Sequence, residues 1–176
     1  MWQTKKNWEE ILDELESKDI CGGDKMENNL NILGTVEPEG INKLDDLEWE
    51  EIELAVDSGA TETVIGEEAL QSIKLLEGAA YKRGVKYEVA NGIRIPNLGE
   101  KRFVGVTEEG LAREIVAQVC EVNKPLLSVS KMVAAGNRVV FDESGSYIEN
   151  IVSGEKVWMK SQGGMYMLKM FVKKGF

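Results

Sequence analysis

Among the 176 residues of this chain, the side chains best placed to do chemistry lie in the stretch Ala55-Val56-Asp57-Ser58-Gly59-Ala60-Thr61. An apolar run there delivers one carboxylate into a turn, and a hydroxyl and a glycine follow it directly. Gly59 lets the backbone reverse tightly and approach other groups closely. Ser58 can hydrogen-bond to backbone or to a neighbouring side chain and so hold the turn rigid. Asp57 is therefore a candidate acid or base, although Asp-Ser-Gly alone is also an ordinary turn sequence.

The rest of the inventory narrows the chemistry. The chain has no His, which removes the Ser-His-Asp and Cys-His catalytic arrangements and every His-containing zinc site. Cys21 and Cys120 are 99 positions apart and match no metal or redox spacing. A reducing compartment suits them, and Cys120, inside an expected strand, reads as a buried structural thiol. Asp45, Asp46, Glu48, Glu50, Glu51 and Glu53 lack the Gly-bearing loop of an EF-hand and read as a solvated acidic face. No metal and no cofactor are expected, so any chemistry would run on carboxylates, hydroxyls, Lys or the two Cys.

The elements that must position Asp57 follow from periodicity. Ile52, Leu54 and Val56 alternate with Glu51, Glu53 and Ala55, a period-2 strand that ends at Asp57. Further short strands are expected over 86–89, 102–106, 115–122, 138–141, 147–151 and 165–172. Asn91-Gly92 marks a hairpin between the first of these and the next, in the type I′ form that needs positive φ at both central residues. Residues 67–75 and 128–135 are expected to be short helices. Regular short strands with few helices predict an all-β barrel or sandwich. Near the N-terminus, Asn7, Trp8, Ile11, Leu12 and Leu15 predict a short amphipathic helix, and 17–46 has linker composition.

The order of these features resembles the retropepsin-like aspartic proteases, whose active-site loop is a hydrophobic pair followed by Asp-Ser/Thr-Gly-Ala. Thr63-Val64-Ile65 follows the loop as that family's post-catalytic strand does, and 87–103 around Asn91-Gly92 resembles its flap hairpin. Leu126-Leu127-Ser128 stands at its second hydrophobic-hydrophobic-Gly element, with Ser in place of Gly, and 129–135 at its helix. The Leu-Leu-Ser-Val-Ser segment at 126–130 and the Phe-Asp-x-x-Gly segment at 141–145 are similar to copia-type retrotransposon polyproteins.

The resemblance implies a closed β barrel with one or two short helices. It divides the chain into an acidic extension over 1–46, a protease domain over 47–135 and a C-terminal β-hairpin extension over 136–176. It further implies a homodimer in which two Asp57 carboxylates share one proton and activate water against a peptide bond of a polyprotein. Ser58, Gly59, Ala60 and Thr61 would support the loop. Ala90, Asn91, Gly92 and Ile93 would form a lid over an extended peptide, with Arg94 and Pro96 close to its tip. Leu126, Leu127 and Ser128 would form the second hydrophobic loop. A non-catalytic dimeric peptide-binding or assembly module on the same fold is the alternative, and a monomeric β protein with a coincidental Asp-Ser-Gly turn the third.

Charge is unevenly spread. The net charge is −10, yet residues 1–53 carry 16 acidic and 5 basic side chains while 54–176 carry 15 acidic and 16 basic. The acidity belongs to the N-terminal extension and says little about substrate preference. No basic surface for phosphates is expected, and so no direct nucleic-acid partner. No run approaches a membrane span and no apolar leader is evident, which gives the expectation of an intracellular, cytoplasmic protein without a membrane partner. Lys169, Lys173 and Lys174 read as edge protection on a terminal strand, and Met165, Met167 and Met170 as core or interface filling.

Overall fold

The computed structural model describes residues 48–175, so the expected helix and linker of the N-terminal extension lie outside the described residues. The protein is all-β in this region, with eleven strands and two short helices among the described residues. The strands are β1 (Trp49–Asp57), β2 (Val64–Ile65), β3 (Lys86–Glu88), β4 (Arg94–Pro96), β5 (Gly99–Thr107), β6 (Ala112–Val119), β7 (Leu126–Ser128), β8 (Asn137–Val140), β9 (Ser146–Asn150), β10 (Lys156–Gln162) and β11 (Met165–Lys173). The helices are α1 (Ala79–Lys82) and α2 (Val129–Ala134).

Alternation drives β1 as expected: Ile52 and Leu54 turn inward and are buried, while Glu51 and Glu53 face water. Nine strands form one sheet in the order β1-β7-β2-β6-β5-β11-β10-β9-β8, and an antiparallel β1–β11 ladder from Trp49↔Lys173 to Ala55↔Met167 closes six of them into a ring. Leu54, Ile65, Ala117, Val119, Leu127, Leu168 and Met170 fill its interior. Residues from Asn137 onward add four strands to this same sheet. β11 is therefore no terminal edge: it pairs with β1, β5 and β10, and Lys169 forms an ion pair with Glu51 at 2.9 Å. Edge protection is the wrong account of that lysine. Among the three methionines Met170 is fully buried and the other two half-buried.

Two expectations about local structure need correction. Residues 67–72 form consecutive turns instead of a helix. The Lys101 ammonium is buried there and donates to the carbonyls of Ala69 at 2.8 Å and Leu70 at 3.1 Å, and the Glu50 carboxylate accepts the Ser72 N–H at 3.0 Å. Groups that a helix would have paired with itself are thus bonded to residues from other strands. The hairpin β3–β4 does form, with Tyr87 opposite Ile95, but not with a type I′ turn. The Gly92 N–H donates to the Val89 carbonyl at 2.8 Å, Val89 pairs with Ile93, and Gly92 has φ 78°. Asn91 does not take positive φ, because Leu70 is the one non-glycine residue that does among the described residues. This is a three-residue loop, a type I turn closed by a left-handed glycine.

No helix among the described residues is long and apolar enough to cross a membrane.

Candidate active site

Asp57 is the last residue of β1 and sits half-buried where the strand runs into the turn. Its Oδ1 accepts the Gly59 N–H at 2.7 Å, a short local bond that fixes the carboxylate against its own backbone. A side chain at Gly59 would put a Cβ 3.2 Å from that oxygen, so glycine there leaves the carboxylate room. Oδ2 accepts no hydrogen bond among the described residues and is the oxygen left for another group. Ser58, Gly59 and Thr61 are exposed, and Ala60 is half-buried.

The second hydrophobic segment comes to the loop from far along the chain. β7 lies between β1 and β2, the two strands that flank the turn, with Ala55↔Leu126, Val56↔Leu127 and Asp57↔Ser128 in parallel register and Val64↔Leu126 antiparallel. Leu127 and Ser128 are buried.

Ser128, at the position where the resemblance expects Gly, uses its whole hydrogen-bonding capacity. Its hydroxyl donates to the Ala60 carbonyl at 2.6 Å and lies 3.0 Å from the Ser130 hydroxyl and 3.3 Å from the Lys131 N–H. With the single proton committed to Ala60, the other two contacts are ones it accepts. One side chain both caps α2 and ties down the Asp57 loop. Its backbone N–H donates to Thr63 Oγ1 at 3.1 Å, and beside it Lys131 pairs with Glu62 at 2.9 Å.

The lid residues are placed differently. Ala90, Asn91, Gly92 and Ile93 form the exposed hairpin tip, with Ile93 58% accessible, and the Asn91 side chain accepts the Ile93 N–H at 3.0 Å. No hydrogen bond or ion pair joins this tip to the Asp57 loop among the described residues. It is the hairpin's base that touches the body. Buried Asn97 donates from Nδ2 to the Tyr87 hydroxyl at 2.9 Å and to Gln118 Oε1 at 2.8 Å, and its Oδ1 accepts the Gly99 N–H at 2.9 Å. Burial raises the pKa of the Tyr87 phenol, the Asn97 bond opposes that shift, and the charges of Glu62 and Cys120 add to it. Gln118, which accepts from Asn97, in turn donates its N–H to the Thr63 carbonyl at 2.8 Å, so the hairpin's base is linked to the chain that follows the Asp57 loop. Cys120 is a buried free thiol, as expected, with its pKa raised by burial.

The fold thus gathers Asp57, Ala60 and Ser128 into one bonded cluster, leaves Ser58, Gly59 and Thr61 exposed on its front, and holds the hairpin alongside by its base. Glu62, Lys131, Tyr87 and Asn97 belong to this region and were not singled out by residue type in the sequence, whereas Thr63 was expected only as the start of the strand after the loop. Chemically the cluster offers one carboxylate with a free oxygen, which can take or give a proton but cannot do both at once. No protein-family model matches the chain, and no curated protein matches it.

Proposed function

We propose that the chain is one half of a retropepsin-like aspartic endopeptidase, and that two copies assemble around their Asp57 loops. The observation that carries this reading is the insertion of β7 between the strands flanking the Asp57 turn, with the Ser128 hydroxyl bonded to Ala60. That arrangement holds a carboxylate rigidly on an open surface, which suits a site completed by a second copy. Two facing Asp57 carboxylates cannot both ionise cheaply, so they share one proton. The ionised one takes a proton from the attacking water while the protonated one donates to the scissile carbonyl. When the C–N bond of the gem-diol breaks, the carboxyl that took the water's proton gives it to the leaving amine, and the other takes a proton back from a gem-diol hydroxyl, so the pair again holds one proton. The peptide lies extended under the hairpin and pairs through its backbone, and the substrate class is a segment of a retroelement polyprotein. The site needs no metal or cofactor, and its partners are a second copy and the peptide, with no direct role for nucleic acid or membrane in an intracellular setting.

The test compares wild type with Asp57→Asn in a self-processing or peptide-cleavage assay, with and without a pepstatin-type inhibitor, alongside sedimentation of both proteins. Cleavage that the substitution and the inhibitor each abolish, with dimerisation retained, is the expected outcome. Equal and inhibitor-insensitive cleavage refutes the mechanism. A dimer that binds peptide but never cleaves it, with binding unaffected by Asp57→Ala, supports the non-catalytic module instead.

A further inference from the structure

Strands β6, β5 and β11 lie side by side in the ring, and their register decides which side chains share a face. Phe103, Ile115, Met170 and Val172 belong to the core. The residues alternating with them point outward, and directly opposed residues share one side of a sheet. Phe171 stands opposite Val106 and Val106 opposite Ala112, with Val104↔Glu114 and Arg102↔Val116 in the next rows. The outer side of the ring thus carries a contiguous apolar strip where a sheet with one wet face would carry polar residues. Val106 is 2% exposed and Ala112 5%, and Val104, Val116 and Phe171 are half-buried. Neither described helix accounts for this: α1 follows Gly78, which sits against Glu100 at the start of β5, and α2 packs on β8. An apolar sheet face calls for a second layer.

The chain itself supplies a candidate for that layer. On β1, Glu51 stands opposite Phe171, and Trp49, two residues earlier and opposite Lys173, carries the strip to its edge. The Glu48 carbonyl accepts the Lys174 N–H at 2.8 Å, so the N-terminal segment joins the body beside this edge. Within that segment Trp8, Ile11, Leu12 and Leu15 form the apolar stripe of a two-turn helix, and a helix so short needs a face to pack on. The 33 positions from Leu15 to Glu48 can reach about 100 Å, against a radius of gyration of about 14 Å for a body of this size. Asp57 lies at the other end of β1, about 25 Å along the strand, so a second copy meeting the Asp57 loop leaves the strip to another occupant. We propose that residues 8–15 of the same chain pack as a helix across the outer strip of β11, β5 and β6. The acidic extension is then the ring's second layer, with Trp8, Ile11, Leu12 and Leu15 on the strip and Glu9, Glu10, Asp13 and Glu14 toward water. The inference does not depend on the peptidase reading.

The experiment uses the full chain in a Cys21→Ser background, with Cys120 left in place as a buried thiol. Ile11→Cys is combined in turn with Val104→Cys, with Val116→Cys and, as the control, with Val152→Cys, which is 89% exposed in the turn between β9 and β10. In a glutathione redox buffer, disulfides within one chain are expected to be about tenfold more populated at 104 or 116 than at 152, because docking raises the local concentration of the paired thiols. Equal yields at 152, or no disulfide within one chain at 104 and 116, overturn the proposal. A disulfide that joins two chains at those positions also overturns it, and assigns the strip to the segment of a second copy. The double variant Ile11→Asp/Leu15→Asp changes no residue of the sheet and serves if a cysteine pair proves unstable. It is expected to raise the binding of an apolar fluorescent dye several-fold by uncovering Val104, Val116 and Phe171, and unchanged dye binding overturns the docking.

Discussion

Replacing Ser128 with Ala removes one hydroxyl that does two separate jobs, and the cost follows from each. As the N-cap of α2 it accepts the Lys131 N–H at 3.3 Å, and exchanging a serine cap for alanine typically costs about 1 kcal/mol. As donor to the Ala60 carbonyl at 2.6 Å it supplies a bond whose removal costs about 1 kcal/mol in a partly buried setting. The sum is about 2 kcal/mol, which for a domain of this size lowers Tm by about 8 °C. Urea and thermal melts followed by circular dichroism measure it. Ser130→Ala is the internal control: that hydroxyl is exposed and donates only to Ser128, so it should cost at most about 0.5 kcal/mol. The two changes act on one hydroxyl, so the double variant should cost no more than Ser128→Ala alone. A loss below about 0.5 kcal/mol in Ser128→Ala would refute the reasoning, because the Ala60 carbonyl would then have no need of its partner.

Two further outcomes are expected from the turn that holds β1. Lys101→Met leaves the Ala69 carbonyl without its donor and the Leu70 carbonyl with the Ile73 N–H alone and should cost about 2 kcal/mol at neutral pH. Burial lowers the Lys101 pKa from its ordinary 10.5, so the charged form is disfavoured in the folded state; the lysine's net contribution is fullest above that value and shrinks as pH falls through the lowered one. The stability gap between wild type and Lys101→Met, read by urea melts, should therefore widen as pH rises toward 10.5. Gly66→Ala places a Cβ 2.7 Å from the Val122 carbonyl oxygen, a backbone atom that cannot swing aside, and should cost about 1–3 kcal/mol in the same melts.

Local pattern made much of this fold legible, and distant partners account for what it hid. The Glu51-Ile52-Glu53-Leu54 alternation locates β1, and Ser128 ahead of an apolar stretch locates α2. The helix expected over 67–75 fails because Lys101 and Glu50 take its backbone groups, and nothing in the local sequence announces either. β10 is obscured by its own composition: Val157, Trp158 and Met159 form an unbroken apolar run, although Val157 and Met159 are buried and Trp158 is 49% exposed, packed edge-on to Tyr147. Asn91-Gly92 marks a turn but not its length, since the glycine's positive φ serves a three-residue loop as well as a two-residue one. At the site, Asp57 stood out by residue type and 126–128 through the resemblance alone; that they share a register is a property of the ring.

The way the loop is held explains why its front is free. The three ties from the β7–α2 side reach Ala60, Glu62 and Thr63, all on the C-terminal side of the turn. On the N-terminal side Asp57 is held by the β1–β7 register and by its own bond to the Gly59 N–H. Ser58 and Gly59, between the two anchorages, can therefore stay exposed without leaving the carboxylate mobile. A loop braced only by itself would lose its geometry when a second surface met it, at a conformational cost set against any gain from binding. Here the ordering is already present in the single chain, so a partner meeting the exposed turn meets a carboxylate with one oxygen committed and the other open.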